Sequence, residues 1–142
     1  MRRTAALGVM AFVTLVGASV DAPFAAQRKE AAIDSGWVRL PAPSATQTEG
    51  YLVIDNPTAY DIFFERASSD LAGAVELRAA GKDEVLKFVT VRAYEGLEMS
   101  PKGTYLLLRN LKKPLSEGDT VPLTLASDSG TTLSVEAIVK KE

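Results

Sequence analysis

The stretch 95–125, EGLEMSPKGTYLLLRNLKKPLSEGDTVPLTL, decides the fold of this chain. It contains a short apolar run of strand length at 105–108, which a polar break follows. Gly118 and Asp119 then supply a turn, and residues 120–125 alternate like a second strand. This order of strand, break, turn and strand predicts neighbouring β-strands.

Short strands of the same kind recur along the rest of the chain. The predicted strands are residues 37–40, 50–55, 61–67, 74–78, 85–91, 105–109, 120–126 and 132–140. Strands this short and regular, with no helical periodicity between them, are typical of an antiparallel β-sandwich. No repeat or linker divides them, so we expect a single domain over residues 36–142 of the 142-residue chain.

The first 26 residues have the pattern of a secretory signal peptide. Arg2 and Arg3 give a positive start, and residues 5–16 form an apolar run too short to span a bilayer comfortably. Small residues beyond this run predict cleavage between residues 18 and 26, with a polar lead-in over 27–35. We therefore expect a soluble periplasmic protein without stable membrane insertion after signal removal, and an uncleaved anchor is the alternative.

Composition excludes several classes of function. The 16 basic and 18 acidic residues give a net charge of -2, which leaves no basic excess for binding nucleic acid. The chain has no cysteine and no histidine, so disulfides, acylation as a bacterial lipoprotein, imidazole metal sites and histidine-based triads are ruled out. Ser127, Ser129 and Thr131 have no base in the sequence to activate them. We expect no enzymatic activity.

Segments in both halves of the chain resemble the PCu(A)C-type periplasmic copper chaperones. In the C-terminal half these are the Glu-Gly-Leu at 95–97, the Asn-Leu-Lys-Lys-Pro-Leu at 110–115 and the Glu-Gly-Asp-Thr-Val-Pro-Leu-Thr-Leu at 117–125. In the N-terminal half, Trp37-x-Arg39, the strand 50–56 and Val75-Glu76-Leu77 follow the order of the family. The chain is identified as a divergent member, and the resemblance implies a cupredoxin-like Greek-key β-sandwich.

The resemblance also implies where copper would bind. Family members hold Cu(I) with a His, a Met and a closing His-x-Met, because thioether and imidazole suit this soft ion. The matching positions of this chain are all substituted: Arg78, Val91, Tyr105 and Leu107. Met1 and Met10 lie in the predicted signal, so Met99 alone would remain in the mature protein. We expect the family's copper site to be lost and no cofactor to be bound.

The substituted positions predict an apolar surface. Tyr105 and Leu107 stand two apart on one strand and therefore share a face. With Val91 nearby, they would form a small apolar patch rimmed by Arg78. Two interpretations stay open: a binding patch for an envelope protein or small ligand, or a plugged surface that only packs well.

Two functions from different classes follow from these observations. The leading prediction is an exported, metal-free binding or interaction module. The alternative is a working periplasmic copper chaperone that uses intermolecular or carboxylate ligands.

The carboxylates Asp83, Glu84, Glu95 and Glu98 lack the spacing of a calcium loop, and solvated turns explain them better.

Overall fold

The computed structural model describes residues 30–142, so the predicted signal and its cleavage site lie outside the described residues. The described residues form nine β-strands and no helix: β1 Ala32–Arg39, β2 Thr48–Asn56, β3 Ile62–Ser68, β4 Ala72–Ala79, β5 Val89–Val91, β6 Glu95–Glu98, β7 Thr104–Leu111, β8 Thr120–Ser127 and β9 Thr132–Lys140. Within residues 30–142 there is therefore no helix that could cross a membrane.

The strands form one sheet that closes on itself. Their order is β1-β9-β8-β3-β4-β7-β2-β6, β1 also pairs with β2, and β5 pairs with β3 beside this path. Every pairing is antiparallel except that of β1 with β9, where Trp37 lies beside Ile138 in a parallel ladder. The predicted all-β fold is confirmed. The parallel pair, which the sequence did not indicate, joins the first and last strands.

The starts of β1 and β5 differ from the predicted strand boundaries. β1 begins at Ala32, inside the segment expected to be a lead-in, because Ala32 already pairs with Asp55 of β2. The domain therefore starts before residue 36. β5 has only three residues, since residues 85–88 belong to a connection in which the Leu86 amide donates to the Leu77 carbonyl.

The strand β6 was not predicted. Its sequence Glu-Gly-Leu-Glu has no apolar alternation, and three of its four residues are exposed. It becomes a strand because its backbone pairs with residues 53–56 of β2. Pairing partners of this kind are set by the fold and leave no local pattern in the sequence.

The core lies between the inward faces of the closed sheet. The largest fully buried side chains there include Phe64, Leu52, Ile54, Leu106, Leu108, Leu123 and Leu125. Each such side chain stabilises the fold by about 1.5–3 kcal/mol. Because Leu106 and Leu108 point inward, the alternation of β7 places Tyr105 and Leu107 on the outer face, as predicted.

Candidate functional site

Three of the four positions predicted to match the family's copper ligands lie together on the outer face of β4 and β7. Arg78 of β4 pairs with Tyr105 of β7, and Glu76 pairs with Leu107. On its other side, Leu107 pairs with Glu49 of β2. Directly opposed residues in neighbouring antiparallel strands have Cβ atoms about 5 Å apart. Leu107 is therefore flanked by two glutamates, and both Tyr105 and Leu107 are half-buried.

Val91 does not lie on this outer face, so the predicted apolar patch of Val91, Tyr105 and Leu107 is corrected. Its side chain is 1% exposed, and β5 pairs it with Ile62 of β3. The Val91 carbonyl lies 3.0 Å from Nδ2 of Asn56, at one end of β2, whereas Leu107 pairs with Glu49 near the other end. Those two β2 positions are separated by about 20 Å of extended chain. Val91 belongs to the core, and the outer patch consists of Tyr105 and Leu107.

Arg78 is held by hydrogen bonds on the same face. Its Nη2 and Nε donate to Oε1 of Glu76 at 2.7 and 3.1 Å, and its Nη1 donates to the Asp83 carbonyl at 2.8 Å. Oε2 of Glu76 also accepts from Nη1 of Arg109 at 3.3 Å. The hydrogen bond from Arg78, followed by that from Arg109, lowers the pKa of Glu76 below its usual value. Arg78 is thus a fixed cation that shares one carboxylate with Arg109, and it cannot bind a metal.

A second ion-pair network lies on the other side of Leu107. Oε2 of Glu49 accepts from Nη1 of Arg39 at 2.6 Å and from the Tyr51 hydroxyl at 2.8 Å. Nη2 of Arg39 contacts Oε1 of Glu142 at 3.2 Å. Burial and the hydrogen bond to Glu49 raise the pKa of Tyr51 above its usual value, so its hydroxyl keeps its proton and donates. The orientation of Glu49, and through it of Arg39, is fixed.

An open pocket of about 420 Å³ lies between this second network and the outer patch. Arg39 and Glu49 form its polar end, and Leu40, Pro41, Tyr105 and Leu107 contribute its apolar lining. We call it the Tyr105 pocket. A larger open groove of about 560 Å³ lies between the connections 40–45 and 111–117, and it includes none of the four predicted positions. The Tyr105 pocket is therefore the better candidate for a site.

Sequence reasoning missed the charged residues that frame the patch. Arg39 and Glu76 stand inside the segments that carry the family resemblance, and the spacing of Glu76 and Arg78 predicts a common face. Glu49 and Arg109 have no such signal, because they reach the site only through pairing between distant strands.

The residues present do not fit Cu(I). Guanidinium, phenol and an alkyl chain stand at Arg78, Tyr105 and Leu107, and none of these is a soft ligand. Met99 is 4% exposed and packs in the core. Among residues 30–142, no group of three or more His, Cys, Asp or Glu side chains is placed to hold a metal ion.

Residues 31–139 match the model of the family described as "Putative lipoprotein LpqE-like". The chain belongs to the LpqE-like family. Its 142 residues contain no cysteine, so no lipid can be attached to a cysteine within them. The comparison with curated proteins finds no match to this LpqE-like chain.

Solved structures with the same fold include PCuAC domains and the protein DR1885. The apo PCuAC domain from PmoF1 superposes with a TM-score of 0.72 at 18% identity, covering 80% of this chain and 95% of that one. The copper-bound PCuAC domain from PmoF2 gives 0.71 at 18% identity, with 80% and 94% covered. The solution structure of CuI-DR1885 from Deinococcus radiodurans gives 0.69 at 28% identity, with 82% and 83% covered. The predicted cupredoxin-like PCu(A)C fold is confirmed, and so is the resemblance to that family.

Proposed function

We propose that this chain is an exported PCu(A)C-like binding module that does not hold Cu(I) at the position of the family's site. The observation that supports this most directly is the outer face of β4 and β7, where Arg78 is ion-paired to Glu76 and lies beside Tyr105. A permanent cation in direct contact with the site opposes a metal cation, and neither Tyr105 nor Leu107 is a soft donor.

The same face has the composition of a binding surface. Tyr105 and Leu107 form a small apolar area between two networks in which arginine and glutamate hold each other in place. Aromatic and aliphatic anchors framed by arginines are typical of the centres of interfaces, where a few residues supply most of the affinity. The proposed partner is an envelope protein or a small ligand. Nucleic acid is not expected, nor is stable membrane insertion.

Copper binding is tested by competition against a Cu(I)-selective chromophoric chelator. Cu(I) is the ion in the DR1885 structure and copper is bound in the PmoF2 domain, so copper is the relevant cargo to test. The purified protein is expected to leave the chelator loaded with copper. Stoichiometric withdrawal of copper would refute the proposal and favour the alternative, a copper chaperone with intermolecular or carboxylate ligands.

The binding surface is tested by Leu107→Lys. A lysine at this position would lie between Glu49 and Glu76, so the free energy of unfolding should change by less than about 1 kcal/mol. The positive charge should abolish capture of the envelope partner, because it replaces an apolar anchor. Thr132→Lys, on an exposed position of β9, is the matched control and should retain the partner. If Leu107→Lys retains the partner, Leu107 only packs.

We further propose that the chain is not an enzyme. No histidine or cysteine is available as base or nucleophile, and the buried hydroxyl residue Ser127 bonds to Ser129 and to the Thr131 amide. The solved structures that share its fold are copper chaperone domains. These observations support a role in binding.

A further inference from the structure

Arg39 has an unmatched donor at the edge of the Tyr105 pocket. Its Nη1 is bound to Glu49 at 2.6 Å and its Nη2 contacts Glu142 at 3.2 Å. Its Nε is buried and has no hydrogen-bond partner. Nearly all buried polar groups are paired, so a buried donor without an acceptor needs a physical explanation.

The unmatched atom belongs to the side of the guanidinium that suits a carboxylate. Nε and Nη2 form a planar fork that can donate two parallel hydrogen bonds to the two oxygens of one carboxylate. In Arg39 only Nη2 of this fork has a partner, which is the Glu142 side chain, and that side chain is 60% exposed. An exposed, single-contact ion pair is weak. Glu49 and Tyr51 fix the opposite side, so the fork is already oriented.

The surroundings favour an anion once Glu142 moves away. Lys140 pairs with Arg39 in the β1–β9 ladder, and its Nζ lies 5.0 Å from the centre of the Trp37 ring. Lys140 does not line the pocket, but without Glu142 the two neighbouring cations, Arg39 and Lys140, outnumber the carboxylate of Glu49 at this end. This positive balance attracts a negatively charged ligand.

The rest of the pocket suits an apolar chain. Beyond Arg39, its lining includes Leu40 and Pro41 on one segment and Tyr105 and Leu107 on β7. A few oriented polar groups beside an apolar lining are typical of small-molecule sites. The open volume of about 420 Å³ has room for a small organic acid.

We propose that the Tyr105 pocket binds a small monocarboxylate with an apolar chain. The carboxylate replaces Glu142 and accepts hydrogen bonds from Nε and Nη2 of Arg39, and the chain lies against Leu107 and Tyr105. This inference rests on the proposed function, because it assigns a ligand class to the same face. It explains both the unmatched Nε and the apolar residues at the positions matching the family's copper ligands.

The test is an NMR titration of the ¹⁵N-labelled protein with hexanoate. The Arg39 Nε–H resonance and the Tyr105 and Leu107 amides should shift together and saturate at about millimolar concentration, as expected for so small a ligand. Hexanamide, which has the same chain without the charge, should not produce these shifts. No saturable shift, or equal binding of hexanamide, would refute the inference. N-acetylleucine imitates the C-terminus of a peptide, and tighter binding of this compound than of hexanoate would overturn the assignment to a simple organic acid in favour of a peptide C-terminus.

Two variants separate a binding role of Arg39 from a structural one. Glu142→Gln should strengthen hexanoate binding about two- to fivefold, because it removes a weak competing ion pair without touching the core. Arg39→Lys should weaken binding about tenfold, because an ammonium lacks the fork. Arg66→Lys, at an exposed arginine of β3 that does not line the pocket, is the control and should have no effect.

An unchanged or weakened affinity in Glu142→Gln would refute the displacement. Failure of this inference can be distinguished from failure of the proposed function. A protein that ignores hexanoate but loses its envelope partner in Leu107→Lys would refute this inference and leave the proposed function standing.

Discussion

Asn56 is a fully buried polar residue that joins β2 to two connections. Its Nδ2 lies 2.8 Å from the Tyr60 carbonyl oxygen, 3.0 Å from that of Val91 and 3.1 Å from that of Arg92. Its Oδ1 accepts from the amide and the hydroxyl of Thr58. β5 is only three residues long. The Asn56 amide donates to backbone carbonyls at the end of β5, which a longer strand would pair with its neighbour. The sequence indicated only a turn at Asn56-Pro57, because two of the three carbonyls that Asn56 binds lie 35 and 36 residues further along the chain.

Asn56→Ala is therefore expected to lower the free energy of unfolding by about 2–4 kcal/mol, because it leaves buried carbonyls without donors. Chemical denaturation of the purified protein measures the change. Asp55→Ala, the adjacent half-buried position, is the control and should cost less than about 1 kcal/mol. Equal losses in the two variants would show that the Asn56 amide has no special role.

Among the elements, β7 could be predicted in detail and β5 could not. A strand with one buried face has a period of two, so the run 105–108 fixes which side chains point outward. The prediction of a strand over 85–91 had apolar residues to support it, but nothing in that pattern states which strand lies beside it. In the structure β5 pairs with β3, and this pairing buries Val91. Arg78, Tyr105 and Leu107 therefore adjoin on one face, whereas Val91 lies in the core.

Because Arg78, Tyr105 and Leu107 adjoin and Val91 lies apart, the structure predicts how copper binding could be restored. The triple variant Arg78→His, Tyr105→His and Leu107→Met should take up about one Cu(I) per chain, because the three positions adjoin on one face and supply soft ligands. Competition against the chelator used for the parent measures it. Ligand distances must be correct to about 0.2 Å, so a shifted β7 would bind poorly.

Val91→Met is the matched test of the alignment. Added to the triple variant, it should not raise the affinity for copper, because Val91 is buried in the core near the far end of β2. A clear increase would mean that Val91 approaches β7 and that the pairing of β5 with β3 is wrong. A folded triple variant that binds no more copper than the parent would show that this face is not the position of the family's site.

At the scale of the whole molecule, the closed sheet depends on contacts between the two ends of the described chain. β1 pairs with both β2 and β9, and the Leu40 amide donates to the Lys140 carbonyl. An all-β architecture and eight of the nine strands could be predicted from alternation and turns, and β6 could not. The parallel closure could not, because it joins residues about 100 positions apart and has no local sequence signal.

Export is the remaining prediction for the whole chain. Arg2 and Arg3 followed by the apolar run 5–16 predict a signal peptide, and a cut between residues 18 and 26 falls ahead of β1, which begins at Ala32. Cleavage would therefore leave every described strand intact. The intact mass of the protein recovered from the envelope should show the loss of about 18–26 residues.

Leu15→Arg interrupts the apolar run and should leave full-length protein in the cytoplasm, whereas Thr14→Ser should be exported and cleaved like the parent. A full-length mass of the parent in the membrane fraction would indicate an uncleaved anchor. A full-length mass of the parent in the cytoplasm would contradict export, and the partner of the Tyr105 pocket would then have to be sought inside the cell.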